Sequence, residues 1–225
     1  MKRWLQGAAL AVFALAAVAA VCAEDSYAAA LSLYWEGRRF EAGDSIRDSQ
    51  QTFQRSLAMT ERLLVANPEH PDLQVLKTWN LFRLGRYAEA VVYAQTVLRQ
   101  RQDIRILETM AESLYFLKKD EEALQAFVRY FSAAPEGDER LSSAYYYVGE
   151  IYYRMKKYEH ADIALSMAVA MEPNMYYWWY RLGIIKEQLG QYRRAYETYK
   201  RSLDLRPQFE PAKEALERVK TKSSF

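Results

Sequence analysis

The side chains suited to nucleophilic, acid–base or metal chemistry are few and far apart. The chain carries two histidines, His70 and His160, and one cysteine, Cys22. A zinc site needs Cys or His ligands at short fixed spacing, and no His-x-x-x-His or Cys-x-x-Cys pair occurs. His70 lies in a loop between Pro68 and Pro71, and His160 near the start of an amphipathic stretch, on its outer side. The acidic pairs Glu121-Glu122 and Asp138-Glu139 fall in turns, where a solvated surface accounts for them. There is no G-x-S-x-G, P-loop or G-x-G-x-x-G. These residues point to no enzyme, no metal and no cofactor.

What the chain has in excess is tyrosine: 18 in all, with 12 of them between Tyr145 and Tyr199. Tyrosine and tryptophan offer large contact area at low entropic cost and keep a polar tip for hydrogen bonds. Arginine among them can pair with carboxylates or stack on rings. That is the chemistry of recognition rather than of turnover.

Regular elements must position those rings. Hydrophobic residues make up 51% of the chain and charged residues 27%, as in a folded protein, while 8 glycines and 6 prolines suit helices with short connections. The clearest stretch, Tyr176 to Pro207, reads as two amphipathic helices around a sharp turn, with Trp179, Leu182, Gly183, Ala195, Tyr199 and Pro207 at fixed offsets. The offsets recur upstream. Tyr145, Val148, Gly149, Tyr152, Ala161, Leu165, Ala168 and Pro173 form one copy. Ala111, Leu114, Ala123, Phe127 and Pro135 form a second, and LFRLGRYAEAVVYAQTVL around Ala90 a third. Ala161 and Ala195 are 34 residues apart, and Ala90 and Ala123 are 33. These residues resemble the tetratricopeptide repeat (TPR), W-x2-L-G-x2-Y, then A-x3-F, then P over 34 residues. The small residues at 111, 149 and 183 and the alanines at 90, 123, 161 and 195 let two helices of a repeat touch closely.

The resemblance implies an all-α fold, a right-handed helical-repeat solenoid of antiparallel helix pairs. Four units are expected, at 71–103, 104–135, 142–173 and 176–207. Residues 24–68 form an N-terminal helix pair or degenerate repeat, in which Gly37 to Phe40 is expected to break the first helix and Asp44 or Ser45 to cap the second. Glu136 to Arg140 is an insertion, expected to be an exposed loop and a hinge. Residues 208–225 are expected to be a capping helix, with Ala212, Ala215, Leu216 and Val219 on its inner stripe, and a tail.

The resemblance also implies a concave groove lined by the first helix of each repeat. Its positions fall on Val75, Trp79, Phe82 and Arg83 in the first of the four units. They fall on Arg105, Glu108, Glu112, Tyr115 and Phe116 in the next, then on Tyr146, Glu150, Tyr153 and Arg154, and finally on Tyr177, Tyr180, Ile184 and Glu187. The surface would be aromatic with scattered arginine and glutamate. The competing reading is that some of these residues pack against the N-terminal helices. Val75 and Trp79 stand where chaperone-tail receptors of the family carry a Lys and Asn clamp, so that subtype is not expected.

Residues 1–23 read as an export signal: Lys2 and Arg3, then an apolar run from Leu5 to Val21, then Val21-Cys22-Ala23 before Glu24, with cleavage expected after Ala23. Membrane attachment would run only through an uncleaved leader or a lipidated Cys22, and Val21 departs from the small residue that lipidation prefers. Setting Lys2 and Arg3 aside brings the 31 basic residues level with the 29 acidic ones, so nucleic acid is not an expected partner. The expected function is an exported bacterial scaffold, periplasmic, that binds a protein or peptide partner through the aromatic groove. Tyr146→Ala with Tyr180→Ala should then weaken capture without lowering the melting temperature. The alternatives are a carrier of an apolar small molecule associated with a transporter, or a structural component of an envelope complex.

Overall fold

A computed structural model describes residues 26–222. The leader, Cys22 and the expected cleavage point lie outside them, as do residues 223–225. Among the described residues the chain is all-α, with eleven helices and no strand. They are α1 (Tyr27–Ala42), α2 (Ile46–Ala66), α3 (Pro71–Arg83), α4 (Tyr87–Gln100), α5 (Ile104–Phe116), α6 (Asp120–Ala133), α7 (Leu141–Arg154), α8 (Tyr158–Met171), α9 (Tyr176–Gln188), α10 (Tyr192–Leu205) and α11 (Glu210–Lys220). The chain divides into two compact units, residues 1–109 and 110–225, the boundary falling within α5. No helix among the described residues is long and apolar enough to cross a membrane.

In the first unit α1 packs on α2, α2 on α3 and α3 on α4. The expected break at Gly37 does not occur, and α1 runs through it. Gly37 is instead the point of closest approach between α1 and α2: a Cβ there would lie 2.7 Å from the Phe53 ring. Asp44 and Ser45 do not cap α2 through their side chains. Asp44 adopts a left-handed conformation, φ 59°, two residues before α2 begins. Gly85, Lys118, Lys156 and Gly190 take the same conformation two residues before α4, α6, α8 and α10. All five helix pairs therefore share one turn, and α2 departs only in length, 21 residues against 14 for α4.

In the second unit α7 pairs with α8 and α9 with α10, and α11 lies against α10 and α9. The same close approach recurs. A Cβ on Gly149 would sit 2.3 Å from Leu165, and one on Gly183 2.4 Å from Tyr199. Each small residue on a first helix thus faces the residue sixteen places on, as Gly37 faces Phe53. The 136–140 segment is mostly exposed, as expected of the insertion, and side-chain hydrogen bonds anchor it. Tyr130 donates to Asp138 at 2.8 Å, and Arg140 donates to the buried Glu112 at 3.1 Å.

Candidate partner-binding surface

In the first unit most of the expected groove residues are buried or contact neighbouring helices. Trp79 stacks on Tyr34 of α1, centroids 5.4 Å apart at 30°. Arg83 reaches Glu41 of α1 at 3.5 Å, and its carbonyl accepts from Gln50 of α2. Phe82 is buried against Tyr87. Val75 and Glu108 are buried, as is Glu112 in the second unit, so none of these three is a surface residue. Arg105 forms ion pairs with Asp72 and Asp103, both at 2.9 Å. Burial would push the Asp103 carboxyl up, but hydrogen bonds from Arg105 and Arg101 outweigh it and hold it below the usual range. Trp79 and Arg83 are therefore half-buried and in contact with the N-terminal helix α1. The reason is α1: it is one unbroken helix, long enough to carry both Tyr34 and Glu41 to α3.

The second unit is different. Tyr115, Tyr146, Glu150, Arg154, Tyr177 and the unanticipated Arg181 lie close enough for their charges to act on one another. Each arginine is bonded to a carboxylate and lies over a ring. Arg154 is gripped by Asp120, with Nε 2.8 Å from Oδ2, and its guanidinium lies 4.7 Å from the centre of Tyr115. Arg181 donates to Glu150 at 2.7 Å and lies 4.8 Å over Tyr153. Such cation–π contacts strengthen with desolvation, and the Glu150–Arg181 pair is largely buried. Desolvation raises the Tyr146 and Tyr115 hydroxyls, with Glu150 adding to it, so both phenols stay protonated donors. The two arginines are matched by Asp120 and Glu150. The cluster offers donors and ring faces, and its two guanidiniums are balanced by two carboxylates.

Not every expected residue lies open in this cluster. Tyr146 stacks flat on buried Trp178, centroids 5.1 Å apart at 13°. Tyr180 turns to Tyr199 and to Phe209, which precedes α11. Ile184 packs in the α10–α11 core. Glu187 accepts from Arg218 at 2.8 Å and Lys222 at 3.2 Å. Hydrogen bonds from Arg218, and secondarily Lys222 and Tyr199, bring the Glu187 carboxyl down to about 2. The open members are Phe116, 42% exposed, and Tyr177, 41% exposed, with Arg154 over the half-buried Tyr115. Tyr146 and Tyr180 are thus both half-buried against other rings, Tyr146 on Trp178 and Tyr180 on Tyr199 and Phe209.

Two residues escaped the sequence reading. Trp178 and Arg181 hold positions that the repeat pattern leaves open. A signal for Arg181 existed, since it follows Glu150 by nearly one repeat. Both histidines have structural partners. His70 caps α3 by accepting from the Leu73 amide at 3.4 Å, and His160 lies against Tyr152. Among the described residues no group of three or more His, Cys, Asp or Glu could hold a metal.

The model of the Psidin N-terminal TPR repeats region matches residues 46–204. No curated protein sequence matches the chain. Among solved structures, the double mutant described as MamA RS-1 ArsTM aligns with a TM-score of 0.63 at 20% identity, over 80% of this chain and 97% of its own. A crystal structure of MamA aligns at 0.59 and 18% identity, over 64% and 83%. YrrB, described as a TPR protein with an unusual peptide-binding site, aligns at 0.60 and 15% identity, over 84% and 92%. At these identities the likeness is one of fold.

Proposed function

Because the chain belongs to the Psidin N-terminal TPR repeat family, matched over residues 46–204, we propose that it is a non-catalytic scaffold whose second unit binds a protein or peptide partner. The observation that carries the reading is the fixed aromatic and arginine cluster of Tyr115, Tyr153, Arg154, Tyr177 and Arg181. Its guanidiniums are clamped by Asp120 and Glu150 before any partner arrives. A prearranged surface loses little side-chain entropy on binding, so a few aromatic anchors can carry the affinity. Peptide binding by a protein of like fold, YrrB, agrees with it. Phe116 and Tyr177 supply the open ring faces and Arg154 the charged donor.

Panning the purified full chain against a displayed random peptide library tests this. The wild type should enrich peptides that bear a bulky apolar side chain. Phe116→Ala with Tyr177→Ala should lose that enrichment at an unchanged melting temperature, because both rings are partly exposed. Equal enrichment by the variant would overturn the placement of the site.

Export belongs to the same proposal and rests on the leader composition. Mass spectrometry of the mature N-terminus checks it. A chain starting at Glu24 supports export with cleavage, and an intact Met1 contradicts it.

A further inference from the structure

Helix α9 has a second working face. Tyr177, Arg181 and Ile184 lie on one side, while Trp179, Leu182 and Lys186 lie about half a turn round. The latter three floor a surface groove between α8 and α10, with a cavity of about 650 Å³. The lining is mostly apolar and includes Val169 and Ala170 from α8.

The apolar surface does not stop at the groove. Going round α8 from Val169, the next side chains are Ser166, Ala170, Ile163, Met167 and Met171. Of these, Ile163 is 67% exposed, Met167 44% and Met171 40%. A helix on the surface ordinarily keeps a polar outer face, and α8 does not. Methionine there gives a polarizable, adaptable contact of the kind found at peptide-binding surfaces. A contiguous exposed apolar patch of this sort marks an interaction site.

The opposite wall states the charge of the occupant. Helix α10 opens with Arg193 and Arg194, both exposed and both lining the groove. The positive end of the helix dipole disfavours cations at that place. Neither makes an ion pair among the described residues, and Arg194 only donates to Gln191 at 3.3 Å. Lys186, at the floor, is satisfied by Asp162 at 2.9 Å. Glu197 is the one acidic lining residue, and Lys200 and Arg201 further along keep α10 basic.

We propose that the groove between α8 and α10 docks an acidic amphipathic helix of a partner protein. A bulky apolar side chain enters the cavity, the methionine arc covers its flanks, and carboxylates meet Arg193 and Arg194. This surface is separate from the tyrosine cluster, so one unit of the scaffold could hold two partners at once.

The test is a fluorescence-anisotropy titration of the full chain with a labelled peptide of about five helical turns. The peptide carries Leu and Phe at helical spacing and Glu elsewhere. Saturable binding is expected, weakened roughly tenfold or more by Arg193→Glu with Arg194→Glu. Met167→Glu should weaken it likewise, and Ala170→Trp should do so by filling the cavity from an exposed position. Tyr177→Ala should leave it unchanged. Failure of the peptide to bind, equal binding of its Lys-for-Glu counterpart, or indifference to all three substitutions overturns the proposal. So does recruitment to anionic phosphatidylglycerol vesicles with the same variant dependence, which would make the surface a membrane contact.

Discussion

Phe209 lies edge-on to Tyr180, with ring centroids 5.2 Å apart at 89°, and the same ring meets Tyr177 at 6.2 Å. The residue that leads into α11 thereby closes one end of the aromatic surface. Tyr180 becomes a core partner and Tyr177 the last open ring. Phe209→Ala should cost roughly 1–3 kcal/mol, from lost burial and lost edge-to-face contacts. Amide hydrogen exchange should rise in α11 before it rises in α7 or α8. A uniform rise along the second unit would show that Phe209 is not what holds α11 in place.

The close approach of Gly37 to Phe53 matches that of Gly149 to Leu165 and Gly183 to Tyr199. An added methyl at any of the three forces overpacking, with typical costs of about 1–3 kcal/mol. Gly149→Ala should be the worst, because the Leu165 backbone nitrogen also stands 3.2 Å from the new atom and cannot rotate away. Gly37→Ala should be milder, since only the Phe53 ring must move. Urea denaturation of the three variants checks the order. A Gly37→Ala protein as stable as wild type would mean that the first helix pair is built differently from the rest.

Glu187 gives the second unit an acid-sensitive clasp. Its carboxyl sits at about 2, against an ordinary value of 4.5, chiefly through Arg218. A carboxylate depressed in the folded state adds stability above its unfolded value and loses it as pH falls toward its folded one. The docking of α11 should therefore weaken between pH 4.5 and 2. Glu187→Gln should lower stability at neutral pH and flatten that part of the profile. Melting curves for both proteins between pH 7 and 3 decide it, and parallel profiles would remove Glu187 from the clasp.

The helix pairs were legible because packing repeats. Gly149, Ala161, Gly183 and Ala195 recur at fixed offsets, and each offset reflects two backbones forced close. The first pair was misread for a local reason. Gly37 looks like a helix breaker, and nothing within α1 reveals that it exists to admit Phe53, sixteen residues on. The candidate surface was legible only in part. Family positions pointed to Tyr115, Tyr153, Arg154 and Tyr177, which lie near one another, but not to which of their neighbours are covered. Tyr180 and Glu187 are partly covered by α11, and Trp79 and Arg83 by α1. Those contacts depend on how the terminal helices dock, which no single repeat encodes. Arg181 was missed because its role needs Glu150 and Tyr153 from the preceding repeat.

The central claim is that the second unit holds its partner at the cluster of Tyr115, Tyr153, Arg154, Tyr177 and Arg181. The most direct measurement places a photo-crosslinking amino acid at Tyr177, at Phe116 and, as a control, at exposed Glu214 of α11. Crosslinking is done in intact cells, and products are identified by mass spectrometry. One shared partner should be captured from 116 and 177, be absent from 214, and be lost when Arg154→Glu is added. The same partner captured from all three positions, or no partner from 116 and 177, would contradict it.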